Sequence, residues 1–163
     1  MVNLASVRDV NAHLPPSSSS SSSGGNSSSS GPGGQQQQLS VRRFRPNIVL
    51  DGLVAFDEDD WKRFSIAGAA TECEFYAACR TVRCKVPNVH PTEGSCHPCE
   101  PDRTLRAYRA IDRGAPGAGC LGLQVVPARV GRGGGGSGGS GRVAVAVGDE
   151  VLCTERGEHF FLR

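Results

Sequence analysis

Apolar and polar positions divide the chain into two regimes. In residues 4–14, LASVRDVNAHL, the apolar side chains Leu4, Val7, Val10 and Leu14 recur at helical spacing, with Arg8 and Asp9 on the other side. This predicts a short amphipathic helix that stops at Pro15-Pro16. From residue 47 onward the apolar residues come in short runs, rich in β-branched and aromatic types and separated by turns: NIVLDG, KRFSIAG, CEFYAACRTVRCKV, CLGLQVV, RVAVAVGDEVLC and EHFFL. Each reads as a strand. Val143, Val145 and Val147 alternate, Gly148-Asp149 interrupts them, and Val151 to Cys153 resumes, which predicts a hairpin. A second helix is predicted after Pro101, with Glu100 and Asp102 near its positive end and Thr104, Tyr108 and Ile111 as its inner stripe. The expected fold class is mainly β with one or two short helices, as a β-barrel or sandwich with a helical crossover.

Composition changes the picture in two places. Residues 15–38 contain only Pro, Ser, Gly, Asn and Gln, and residues 131–141 are nearly all Gly and Ser. Neither offsets its ordering entropy by burial, so they read as a disordered insertion and a loop within one domain spanning 1–163. With 18 Lys and Arg against 16 Asp and Glu, the net charge of +2 gives no basic field for nucleic acid or an anionic membrane. No apolar run is long enough for a membrane-spanning segment, and the first residues lack the apolar stretch of a secretory signal. The expectation is an intracellular protein, cytoplasmic or mitochondrial. Seven cysteines, an odd number, fit free thiols in a reducing compartment.

Three groups of residues carry candidate chemistry. Cys84 is flanked by Arg80, Arg83 and Lys85, cations that favour a thiolate, and a thiolate is a strong ligand for a transition metal. Its plain alternative is a small buried hydrophobe on a strand. Arg45-Pro46-Asn47 sets a guanidinium and an amide apart on extended backbone, suited to an anion and a polar ring; Arg45 taken alone reads as an ion-pair residue. Cys96 and Cys99 have the Cys-x-x-Cys spacing of zinc sites, with His90, Cys79 and Cys84 available to complete four ligands. A second Cys-x-x-Cys is missing.

Four motifs recur in the order found in the MOSC family: FRPNIV around Arg45-Pro46-Asn47, the Arg83-Cys84 pair before VPNVHPTEG, the Glu100-Pro101 to Arg109 segment, and VGDEV at 147–151. Over residues 4–14 and 40–163 the chain resembles this family, within it the group around the mitochondrial amidoxime-reducing component, and CLGLQVVP with ERGEHFFL resembles its fungal branch. The resemblance implies a MOSC-type β-barrel, of which this chain would be the C-terminal part, incomplete on its N-terminal side. It also implies a molybdenum cofactor (molybdopterin), with Cys84 as metal ligand and catalytic residue and with Arg45, Asn47 and Arg83 binding the cofactor. The implied activity is reduction of N-hydroxylated compounds, with electrons from a b-type cytochrome and its flavin reductase. Alternatives are sulfur transfer to the cofactor, although the upstream pyridoxal-phosphate domain of that route is lacking, and a non-catalytic remnant or zinc-binding module. Two departures stand out. His90 occupies the position of an Asp, and Cys79 appears as an extra residue in AACRT, which requires a β-bulge to preserve the faces of the strand.

Overall fold

The computed structural model describes residues 1–16, 38–67, 72–130 and 145–161. Strand β1 (Val2–Asn3) leads directly into helix α1 (Leu4–His13). Asn3 makes that junction, because its Oδ1 accepts from Ala5 N at 2.9 Å and so satisfies one of the orphan amides of the first turn. The helix buries Val7 and Val10, as its periodicity predicts, against Val2, Leu39, Phe44, Leu105 and Leu121. A short strand β2 (Val49–Leu50) pairs in parallel with β1.

The larger sheet is antiparallel: β3 (Trp61–Ala67), β4 (Glu72–Val82), β5 (Cys120–Val130) and β6 (Glu150–Arg156), in the order β5-β4-β3-β6. Register fixes one inner face. Phe64 lies opposite Phe75 and Cys153, and Ile66 opposite Cys73 and Val151. Phe64 and Ile66 join Met1, Leu50, Trp61, Ala77 and Leu123 in one core cluster, and the rings of Phe64 and Phe75 stack at 5.1 Å. The extra residue at AACRT is absorbed: β4 advances from Ala77 to Cys79 while β5 steps only from Val125 to Gln124, a bulge at Ala78.

The two sheets meet at Met1 and Leu123, which exchange both backbone hydrogen bonds: Met1 N donates to Leu123 O at 2.8 Å and Leu123 N donates to Met1 O at 3.0 Å. This approach requires glycine at the neighbouring position. Gly122 has φ +74°, and a Cβ there would stand 2.2 Å from Met1 O. The strands therefore run β2-β1-β5-β4-β3-β6, mainly β with two short helices. Among the described residues β2 and β6 do not pair, so the barrel is open.

Several local expectations are corrected. Val145 and Val147 form no strand; the chain turns at 146–149, where Ala146 N donates to Asp149 Oδ2 at 2.7 Å, and β6 pairs with β3 instead. Val143 lies outside the described residues. EHFFL is irregular as far as Phe161, because its groups bond to side chains and loops. NIVLDG contributes a strand of only two residues. The second helix, α2 (Asp102–Tyr108), ends before Ile111, which is exposed, and its buried residues are Asp102, Thr104 and Leu105. Most of the 15–38 and 131–141 tracts lies outside the described residues.

The acidic run Asp57–Asp60 forms a 3-10 turn. Arg156 binds Asp57 and Asp60, Arg109 binds Asp59, and Glu58 is fully buried beneath Asn3 and Ser6. Among the described residues no helix is long and apolar enough to cross a membrane.

Candidate functional site

The FRPN segment leaves a 3-10 turn, Val41–Phe44, whose entry is capped by Ser40 Oγ accepting from Arg42 N at 3.3 Å. Arg45 closes the turn, donating its N–H to Arg42 O at 3.1 Å, and adopts left-handed backbone at φ 50°, ψ 46°. For a non-glycine residue this conformation costs about 1 to 2 kcal/mol, so the turn and Pro46 together hold Arg45 in a strained position. The side chains of Arg45 and Asn47 are both exposed.

Arg83 joins this turn to the end of β4. Its backbone N–H donates to Gly119 O at 2.8 Å. Its guanidinium donates to Leu121 O through Nε (2.9 Å) and Nη2 (2.6 Å), and to Phe44 O through Nη1 at 2.9 Å, while lying over the Phe44 ring at 5.3 Å. Burial pushes the guanidinium down to about 10, opposed by Cys84 and Cys120. Three of its five N–H groups are thus spent on backbone carbonyls. Arg45, Asn47 and Arg83 line one cavity of about 440 Å³ with Thr81 and Gln124.

Cys84 follows Arg83 in the loop after β4 and is exposed; it is not among the residues lining the cavity. Burial pushes the thiols of Cys73, Cys79, Cys120 and Cys153 up, with the Asp112 carboxylate adding to the effect at Cys79 and Cys120. The exposed thiols are Cys84, Cys96 and Cys99. Only Cys84 has cationic neighbours on both sides in the chain.

The Cys-x-x-Cys loop is organised around His97. His97 Nδ1 accepts from Cys99 N (3.2 Å) and Glu100 N (2.8 Å), and Cys96 Sγ faces His97 O at 3.6 Å. His90 Nδ1 accepts from Glu93 N at 3.2 Å and contacts Thr92 Oγ1 at 3.1 Å, so the imidazole at this position closes its own turn. Among the described residues no three His, Cys, Asp or Glu side chains converge as a metal site.

Sequence reasoning missed a buried polar cluster beside the C-terminal end of β4. Asp112 Oδ1 accepts from Gly114 N (2.8 Å) and Phe161 N (3.0 Å), Arg80 Nη1 donates to His159 O at 3.2 Å, and the His159 Nε2 contacts Trp61 O at 2.7 Å. Arg80 therefore ties down the segment after β6 instead of flanking Cys84. Nothing local in the sequence marks these partners, which are brought together by tertiary pairing.

The sequence model of the MOSC domain family matches residues 1–152. The chain is similar to Mitochondrial amidoxime reducing component 2 of Bos taurus, 37% identical over 75 residues, which is 46% of this chain and 21% of the relative. It is also similar to Mitochondrial amidoxime-reducing component 1 of Xenopus laevis, 39% identical over 74 residues, 45% of this chain and 20% of the relative. The human component 2 is 36% identical over 75 residues, again 46% and 21%. The match thus spans about a fifth of the length of these relatives. A match that runs through the strained Arg45 turn, the Arg83-Cys84 junction and both sheets places this chain in the MOSC domain family.

Proposed function

We propose that the chain is the cofactor-holding part of a molybdenum oxidoreductase, with Cys84 as the metal ligand and Arg45 and Asn47 binding the pterin and its phosphate. The observation that carries this reading is Arg83: one guanidinium spans Leu121 O and Phe44 O, so the Cys84 junction and the Arg45-Asn47 turn form one rigid unit. The donor set fits the group. A thiolate from an exposed Cys is a strong ligand for a high-valent transition metal, a guanidinium suits a phosphate, and an amide both donates to and accepts from a pterin ring.

When bound, the cofactor would supply the two-electron redox centre for removing oxygen from N-hydroxylated compounds. The protein groups bind and orient it. Arg83 keeps two N–H groups beyond its carbonyl contacts, and the residue lines the same cavity as Arg45. The strained backbone of Arg45 is fixed in advance, so the ordering cost of binding falls on its side chain and not on its backbone. A b-type cytochrome with its flavin reductase would deliver the electrons, as the family resemblance implies.

The test is expression in a host that makes the cofactor, followed by measurement of molybdenum and pterin on the purified chain. Molybdenum and pterin are expected together but well below one per chain, since the barrel is open, with pterin falling at least fivefold further in Arg45→Ala. Zinc without pterin, or unchanged pterin in Arg45→Ala, would overturn the reading.

A further inference from the structure

The strand series β2-β1-β5-β4-β3-β6 leaves its first and last members without a partner on one side, among the described residues. These two strands flank a second cavity of about 600 Å³, walled by residues 47–53 on one side and 145–151 on the other, with Ile66 of β3 between them. Ile48, Leu53 and Val151 give it an apolar lining, and Val145, Val147 and Val49 leave much of their surface in water, Val147 all of it. Unpaired strand edges beside exposed valines form a ready template for another strand.

Its charge is one-sided. Among the described residues the ionic ones lining the cavity are Asp51, Asp149 and Glu150, with no Lys or Arg. Asp51 has Arg8 at 3.7 Å, but both side chains are exposed, so the pairing is screened. Asp149 Oδ2 accepts from Ala146 N at 2.7 Å. Glu150 makes no ion pair among the described residues.

We propose that this groove is a strand-addition site for an extended segment of another polypeptide in which apolar side chains alternate with Lys or Arg. The added strand would take backbone hydrogen bonds from β6, place its apolar side chains toward Leu53 and Val151, and turn its cations to the three carboxylates. Main-chain pairing supplies affinity and alternate side chains supply specificity. The groove shares Asn47 and Ile48 with the cavity of Arg45 and Arg83 but neither arginine, so the two proposals stand or fall separately.

The probe is a fluorescent heptapeptide, Lys-Val-Lys-Val-Lys-Val-Lys, titrated against the full chain and followed by anisotropy and amide exchange. Saturable binding is expected, with exchange slowed at least tenfold at Val151–Cys153. A peptide of the same composition with its lysines consecutive, and one with Glu in place of Lys, should each bind at least tenfold more weakly. Glu150→Lys, an exposed change, should weaken the first peptide at least fivefold. Equal binding of the three peptides, protection on β5 instead of β6, or absence of binding because the groove is filled within the chain or by a second copy would each overturn the proposal.

Discussion

Arg83 grips the carbonyl of Leu121 with two nitrogens, at 2.9 and 2.6 Å, and through this contact β5 fixes where β4 ends and where Cys84 begins. The third nitrogen, on Phe44 O at 2.9 Å, sets the turn that carries Arg45. A cation beside a candidate thiolate is thus first a structural clamp, and its electrostatic influence on Cys84 follows from being held there.

Arg83→Met should cost about 2 to 4 kcal/mol, because two carbonyls lose charge-assisted donors at a half-buried site. Urea denaturation measures it. Arg83→Lys should recover only part of the loss, since an ammonium cannot reproduce the fork on Leu121 O.

The exposed cysteines predict the reverse. Cys84→Ser, Cys96→Ser and Cys99→Ser should each leave the unfolding midpoint within about 0.5 kcal/mol of the parent, as expected for exposed side chains away from core packing. A larger loss on Cys84→Ser would show that this thiol packs, and calorimetry on the three variants reads it.

Gly122→Ala should destabilise by about 2 kcal/mol or more, from the left-handed backbone and the clash with Met1 O. Gly148, at φ +100° with open space around it, isolates the backbone part, and Gly148→Ala should cost about 1 kcal/mol. Thermal unfolding of the pair separates strand docking from strain. Equal losses would mean that the contact between β1 and β5 contributes nothing.

His159 gives a pH dependence with a defined sign. Its pKa is lowered from the ordinary value of 6.5 by burial first, with Lys62 and Arg80 adding to the effect and the carbonyls of Trp61 and Ala78 opposing it. The unfolded chain therefore binds more protons, so this contribution is fully present above pH 6.5 and is lost as pH falls below it. Glu58 acts oppositely: burial raises it above 4.5, against the hydrogen bonds of Asn3 and Ser6, so its contribution is present at low pH and lost as pH rises through the folded value. Stability measured from pH 8 to 5 should fall at the acid side of 6.5, and His159→Gln should flatten that part of the curve.

What the sequence shows depends on whether the determining contact is local. Val7 and Val10 declare α1 because a helical stripe is written within one turn. The extra residue at AACRT is visible as a register problem, and the bulge at Ala78 is its solution. The alternation of Val145 and Val147 misleads, since Asp149 closes a turn on Ala146 and the strand pairing goes to β3. Arg45, Asn47 and Arg83 are legible as cation and amide types, and the structure brings them to one cavity. The commitment of Arg83 to Leu121 and Phe44, and of Arg80 to His159, depends on partners 38 to 79 positions away and has no local signature.

The most direct test of Cys84 as the metal ligand is X-ray absorption at the molybdenum edge of the chain purified from a cofactor-producing host, comparing the parent with Cys84→Ser. The account predicts one fewer sulfur bound to molybdenum in Cys84→Ser, at unchanged unfolding midpoint. An identical sulfur count in the two proteins would contradict it.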